Sequence, residues 1–152
     1  MMTALERTDQ QILALLARNG RMSFTDLGWA TGLSTSAAQQ RVRRLEQRGV
    51  ITGYHADLSA EALDRDLTAI ISVHALNPRA DDDIQALLAG MPEITTCYSI
   101  AGDASVLCIA QVGNTTELDG LLSQIRHQIA ASTTTIVALT TYFRDRPLVD
   151  EP

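Results

Sequence analysis

An α+β chain in two units is predicted, with three helices in the first third and a β-α-β-β-α-β order after it. Two observations predict it. Apolar residues recur at helical spacing between glycine breaks through residues 1–54, and then give way to β-branched runs of strand length separated by helical stretches. Charge divides at the same place: residues 1–54 hold seven arginines against four carboxylates and residues 55–152 hold five against fourteen, so the net charge of −6 hides a basic unit joined to an acidic one. The organisation expected is a basic unit over 1–54, a linker over 55–66 and an acidic unit over 67–152.

A chain of 152 residues that is 45% hydrophobic and 20% charged holds enough apolar material for one ordinary domain or two small ones, which excludes a disordered or collagen-like chain. No apolar run approaches the roughly 20 residues that span a bilayer, and MMTALERTDQQ lacks the apolar stretch of a signal peptide, so a cytoplasmic protein without membrane contact is expected. Cys97 and Cys108 are too few for a disulfide framework and lack metal-ligand spacing, which fits a reducing compartment. All twelve basic residues are arginine. The absence of lysine extends to the acidic unit and is assigned no function.

In the first helix, Thr8 and Gln11 have capping-box spacing, and Leu5, Ile12, Leu15 and Leu16 form an apolar stripe that runs out at Asn19-Gly20. Ser23 is placed to cap a short second helix with Phe24, Leu27 and Ala30 inward. Gly32 stands where the chain must turn, a position that favours positive φ, and Leu33 plugs the turn. Ser34 is placed to cap a third helix from about Thr35 to Arg48, in which Ala38, Val42 and Leu45 follow the spacing of a buried stripe before Gly49 ends it.

At about 100° per residue, the side of this third helix opposite Val42 carries Ser36, Gln40, Arg43, Arg44 and Gln47, with Gln39 and Arg41 on its flanks. Amides and guanidinium groups offer bidentate contacts to adenine and guanine edges in a major groove, while arginines neutralise phosphates. A solvated helix face has the same composition. The order helix, glycine turn, capped helix favours the first reading, because it makes the third helix the second member of a helix-turn-helix.

The stretch GLSTSAAQQRVRRLEQRGVITGY, preceded by DQQILALLARNGRMSFTDL, resembles the DNA-binding region of the Lrp/AsnC (leucine-responsive, feast/famine) bacterial transcription regulators. Gly32-Leu33-Ser34, Arg41-Val42, Leu45-Glu46, Gly49-Val50-Ile51 and Gly53-Tyr54 fall where that family places the same residue types. The resemblance continues through the second unit and covers nearly the whole chain. It implies a sequence-specific regulator with a winged-helix-like head on double-stranded DNA, whose candidate contacts are Ser34, Ser36, Gln39, Gln40, Arg41, Arg43 and Arg44.

In the acidic unit, LTAIISVHAL reads as a strand broken by Asn77-Pro78, and Asp81, Asp82 and Asp83 crowd the first turn of a helix with Ile84, Leu87 and Leu88 inward. The acidic run suits the helix dipole and is assigned no metal. ITTCYSIAG and SVLCIAQV follow as strands around Gly102-Asp103, then TTELDGLLSQIRHQI as a helix with Leu118, Leu121, Leu122 and Ile125 on one side, then TTTIVALTTYFRD as a last strand. The order is a ferredoxin-like split unit, which is also what the resemblance implies for a regulatory, effector-binding domain. Two helices on one sheet face leave the other face to be covered. A second subunit is the expected cover, so a homodimer is expected, and the resemblance implies higher even-numbered assemblies such as octamers.

In the family, the turn between the second and third strands carries a Gly-x-x-Asp signature beside an effector pocket often filled by an amino acid. The corresponding residues here are Gly102, Asp103, Ala104 and Ser105. Ser105 stands where the family has a carboxylate that meets the ligand's amino group, and a hydroxyl cannot supply that charge-assisted bond. Either Asp103 substitutes, or the effector is a different small metabolite. No cofactor is expected. A plain hairpin turn is the competing reading of the same residues.

His55, His74 and His127 share no motif spacing, and no phosphate-binding loop, nucleophile elbow or zinc pattern is present, so no catalytic residue is assigned. Two alternatives remain: a ligand-free nucleoid-organising protein, and a tetrapyrrole-modifying enzyme like the sirohaem decarboxylases that share the fold. Finally, a two-residue hairpin centred on Gly102-Asp103 brings Cys97 opposite Cys108, whereas a longer turn is expected to separate them. Cross-strand β-carbons about 4.5 to 5.5 Å apart exceed the separation of a relaxed disulfide, so two reduced, buried thiols are expected.

Overall fold

The computed structural model describes residues 5–76 and 81–149, and of Asp81–Asp83 the backbone alone. The described residues form two compact units, one running to Asp57 and taking in the chain from Phe143 onward, the other Leu58–Tyr142. The segment from Phe143, read from sequence as part of the C-terminal unit, thus gathers with the head, where Arg146 stacks its guanidinium 3.7 Å from the Phe143 ring centre.

The head is built from α1 (Arg7–Arg18), α2 (Phe24–Thr31) and α3 (Thr35–Gln47). Helix α1 starts one residue before Thr8. Its N-cap is Glu6, whose side chain makes no capping bond, so the capping box expected at Thr8 and Gln11 does not form. Helix α2 is capped as expected, Ser23 Oγ accepting from the Asp26 backbone N–H at 3.1 Å. Its buried residues are Leu27 and Gly28, while Phe24 and Ala30, expected inward, are exposed. The cause is the close crossing of the turn into α3: a β-carbon on Gly28 would lie 2.6 Å from the Leu33 carbonyl oxygen, so this flank of α2 faces in. Gly32 closes α2 at φ 71°, the left-handed conformation that glycine adopts without strain. Ile12, Leu27, Ala38, Val42 and Leu45 form the head's core, with Leu33, Val50 and Ile51 packed against it.

The second unit contains β1 (Leu67–Ala75), α4 (Asp81–Ala89), β2 (Ile94–Ser99), β3 (Val106–Val112), α5 (Thr115–Ile129) and β4 (Ala131–Ala138), after a 3₁₀ turn at Glu61–Leu63 in the segment read as linker. The sheet order is β2-β3-β1-β4, with every neighbouring pair antiparallel, which is the split βαββαβ arrangement. The break expected at Asn77-Pro78 lies outside the described residues. Alternation sends Ala69, Ile71, Val73, Cys108 and Ala110 to one face, where Ile84 and Leu88 of α4 and Leu121 and Ile125 of α5 complete the core. Helix α5 matches its expected span and is capped by Asn114, which accepts from the Glu117 N–H at 2.9 Å. The last strand begins two residues earlier than expected and stops at Ala138. Only Leu67 of its partner β1 lies beyond that point, since Ala138 pairs with Thr68, so residues 140–145 have no strand to extend.

The opposite sheet face carries Ile70 between Ile109 and Ile136, with Tyr98 beside Leu107. Among the described residues no helix of the unit covers it, and Ile136 and Tyr98 are 61% and 53% exposed.

Candidate nucleic-acid interface and effector cleft

Helix α3 is fixed at both ends and along one side. Ser34 Oγ accepts from the Ala37 N–H at 3.2 Å at the start, and at the far end Tyr54 Oη donates to Glu46 Oε1 at 3.0 Å. Partial burial, with Glu46 adding to it, pushes the Tyr54 phenol up to about 12, so it stays a donor through the neutral range. Ala38, Val42 and Leu45 are buried as expected, and Ser36, Gln40, Arg43, Arg44 and Gln47 are exposed on the opposite side. Gln39 is half-buried on the flank.

Arg41 is turned away from that face. Its Nη1 donates to Asp9 Oδ1 at 2.8 Å and to Glu6 Oε2 at 2.9 Å, tying α3 to α1. Hydrogen bonds to Asp9 first and to Glu6 second raise its pKa above an already high ordinary value. Among the seven residues expected to face DNA, Arg41 therefore serves as a clamp, and Ser34 spends its hydroxyl on the cap. Asp9, 5% exposed, is the one buried charged residue among those described. Sequence reasoning passed over it, although a signal was present: Asp9 occupies the stripe position between Leu5 and Ile12 where an apolar residue belongs.

The turn between β2 and β3 is longer than a two-residue hairpin. The Ile100 N–H donates to the Ser105 carbonyl at 3.2 Å, enclosing the four residues Ala101 to Ala104. Gly102 and Gly53 lack the positive φ of Gly32 and Gly49. The cysteines nonetheless stay opposite, because the turn grew by one residue on each side and its centre stayed at Gly102-Asp103; Cys97 pairs with Cys108 and Ser99 with Val106. Cys108 is buried, but Cys97 is exposed, which corrects the expectation of two buried thiols.

Gly102 and Asp103 are exposed, Ala104 is buried, and Ser105 lines a cavity that the other three do not line. Asp103 instead lies at the uncovered sheet face, its carbonyl 3.2 Å from His74 Nδ1. The cavity is a cleft of about 590 Å³ between α4 and the edge strand β2. Gln85, Thr95, Ser99 and Ser105 give it amide and hydroxyl groups, and Ile84 and Leu88 give it an apolar floor. A register shift between Ile94 and Thr96 adds Thr95 to the lining. Among the described residues that line it, none carries a charge. The polar residues of β2 were legible only as strand, because nothing in the sequence marks the cleft until α4 is placed beside it.

Residues 5–46 match the model of the AsnC-type helix-turn-helix domain, and residues 68–148 match the Lrp/AsnC ligand binding domain. The HTH-type transcriptional regulator LrpA of Mycobacterium tuberculosis is 38% identical over 146 residues, which cover 96% of this chain and 97% of that protein. The chain belongs to the Lrp/AsnC family of transcription regulators. Among its members, the leucine-responsive regulatory protein of Haemophilus influenzae is 36% identical over 78% of this chain and 73% of its own length. The solved structure of a feast or famine regulatory protein from M. tuberculosis, complexed with L-methionine, has a TM-score of 0.91 at 37% identity and covers 97% of this chain and all of that one. Both halves of the Lrp/AsnC architecture, a helix-turn-helix head and a four-stranded regulatory domain, are present here. Among the described residues no helix is long and apolar enough to cross a membrane.

Proposed function

We propose that this Lrp/AsnC regulator binds operator DNA through Ser36, Gln40, Arg43 and Arg44 of α3, and that occupancy of the α4–β2 cleft by a small amino-acid-class metabolite modulates it. The observation that carries the DNA reading is the division of labour on α3. Arg41 is spent on Asp9 and Glu6, whereas Arg43 and Arg44 make no ion pair among the described residues and share the exposed face with Gln40. A capped, clamped helix holds those groups in a fixed register, as base-edge recognition requires. The regulator names of the relatives support a non-catalytic role.

The described residues that line the cleft carry no charge, which favours an effector whose side chain is neutral, apolar or sulfur-containing, with its polar groups met by hydroxyls and main chain. The methionine complex of the related regulator supports the same class. Symmetric readers place two heads on two half-sites, and the uncovered face around Ile70, Ile109 and Ile136 gives a second copy an apolar surface to cover, so the working unit is read as a dimer or a larger even assembly.

The test is quantitative footprinting on the promoter segment the protein retains, at several salt concentrations, with and without L-methionine. Arg43→Ala is expected to weaken binding. If Arg43 meets a phosphate the salt slope becomes shallower by about one unit with sequence preference intact, and if it reads a base preference loosens. A bidentate adenine contact by Gln40 is worth about 1 to 3 kcal/mol of discrimination. Unchanged operator affinity in Arg43→Ala would remove α3's exposed face from the interface. A footprint insensitive to methionine and to other neutral amino acids would favour a ligand-free, nucleoid-organising role.

A further inference from the structure

We propose that Cys97 and Cys108 form a modification site in which a peroxide drives reversible closure of a cross-strand disulfide at the wall of the α4–β2 cleft. Three observations carry it. The two residues are direct register partners on β2 and β3, and their sulfurs lie 3.8 Å apart. Cys97 is exposed on the edge strand and lines the cleft, so an oxidant reaches it, whereas Cys108 is fully buried beneath it. The pairing is also of the closer kind. The Ile100 to Ser105 hydrogen bond marks that pair as a bonded position, and alternation along the ladder makes Cys97 and Cys108 a non-hydrogen-bonded pair. Such pairs hold their α-carbons about 4.5 Å apart, inside the range of about 4.4 to 6.8 Å that a disulfide spans.

The two thiols have different roles. Burial first, and Cys97 next to it, pushes the Cys108 thiol up to about 12, so Cys108 stays protonated and the initial attack falls to Cys97. The Cys97 thiolate attacks one peroxide oxygen; the O–O bond breaks, Cys97 becomes a sulfenic acid, and the departing oxygen takes up a proton as water or an alcohol. The Cys108 sulfur then attacks the Cys97 sulfur. The S–O bond breaks as the S–S bond forms, and the released hydroxide takes the Cys108 proton and leaves as a second water. Two thiols are oxidised by two electrons and one peroxide is reduced by two. A dithiol reductant returns them. Closure engages the Cys97 sulfur with β3, so the cleft loses a free thiol from its wall.

The experiment exposes the full chain to hydrogen peroxide under native conditions, removes the oxidant, and counts free thiols by alkylation in denaturant, with mass analysis and a non-reducing gel. Both thiols are expected to disappear together without an inter-chain bridge, and dithiothreitol is expected to restore both. In Cys108→Ala the Cys97 sulfenic acid should accumulate and be captured by dimedone. In Cys97→Ser the remaining thiol should oxidise at least ~10-fold more slowly, because a buried, protonated thiol is a poor nucleophile. Retention of both thiols in the unsubstituted protein at a peroxide exposure that oxidises Cys97 in Cys108→Ala would overturn the proposal, as would a bridge between chains. Loss of only one of the two thiols in the unsubstituted protein would also overturn it; that count does not depend on either variant folding, nor on the effector reading of the cleft.

Discussion

Among the described residues, the hydrophobic core of the three-helix head is a cluster of five, Ile12, Leu27, Ala38, Val42 and Leu45, whereas that of the sheet unit is a cluster of fifteen. The smaller core is supplemented by polar devices. Ser23 and Ser34 cap two helices, the Arg41 clamp joins α1 to α3, and Tyr54 ties down Glu46. In the sheet unit the buried residues among those described are apolar, and the α4–β2 cleft is lined in part by uncharged hydroxyl, amide and thiol side chains. The difference teaches how to read polar residues in each half. In the head, a charged side chain on a helix can be a brace, and only its partner shows it, as Asp9 and Glu6 do for Arg41. In the sheet unit, Thr95, Cys97 and Ser99 of edge strand β2 line a cavity, whereas Thr133 and Thr135 on the helix-facing side of edge strand β4 do not line it.

The largest expected effect tests the claim that the sheet unit rests on apolar packing. Ile125, fully buried on α5, packs with the residues of β1 and β3, and Ile125→Ala is expected to cost about 2 to 5 kcal/mol from lost transfer energy and the cavity left behind. Hydrogen exchange read separately for amides of β3 and of α3 should show the loss in the sheet unit. A smaller effect than that of cutting the head's clamp would reverse the ranking of the two units.

The second prediction cuts that clamp. Asp9→Ala removes the better-buried acceptor of Arg41 and leaves Glu6, whose side chain is 65% exposed, as the remaining partner. Loss of a buried charged hydrogen bond costs about 1 to 3 kcal/mol, and the destabilisation should appear in α1 and α3. Operator affinity should fall with it while the salt slope stays unchanged, since no phosphate contact is removed. That behaviour separates Arg41 and its partners from Arg43, for which a phosphate contact makes the slope shallower. A shallower slope for Arg41→Gln in protein still fully folded would return Arg41 to the DNA-facing set.

Much of this was legible from sequence where one periodicity served one purpose. Helix α5 came out at its observed span because Leu118, Leu121, Leu122 and Ile125 repeat on one face between two strand-like runs. The stripe of α3 was read correctly for the same reason. Errors arose where a tertiary contact overrode the local pattern. Phe24 and Ala30 match an inward stripe on α2, but the close approach of the Leu33 carbonyl selects Gly28, the only residue type that admits it. The pairing of the cysteines survived a wrong turn length, because pairing depends on where the turn is centred rather than on how many residues it holds. The cleft was invisible, since its lining comes from α4, β2 and the start of β3, which local patterns do not connect.

The smallest expected effect distinguishes a cap that forms from one that only has the spacing. Ser34 and Thr8 are both hydroxyl residues near a helix start, and both precede residues suited to a first turn. Ser34 has the extended backbone of an N-cap, ψ 155°, and its Oγ accepts from the Ala37 N–H, satisfying a donor that would otherwise be orphaned. Thr8 is already inside α1, behind an N-cap at Glu6. Ser34→Ala should therefore cost the head about 1 kcal/mol, whereas Thr8→Ala should stay within about 0.5 kcal/mol, as surface substitutions without a specific role do. Urea titrations of the two variants, followed by the exchange of α1 and α3 amides, measure both. A Thr8→Ala loss equal to that of Ser34→Ala would mean that Thr8 caps α1 in solution and that the helix begins two residues later, at Asp9. Glu6 and Asp9 would then sit differently against Arg41, so the comparison of caps also checks the geometry of the clamp.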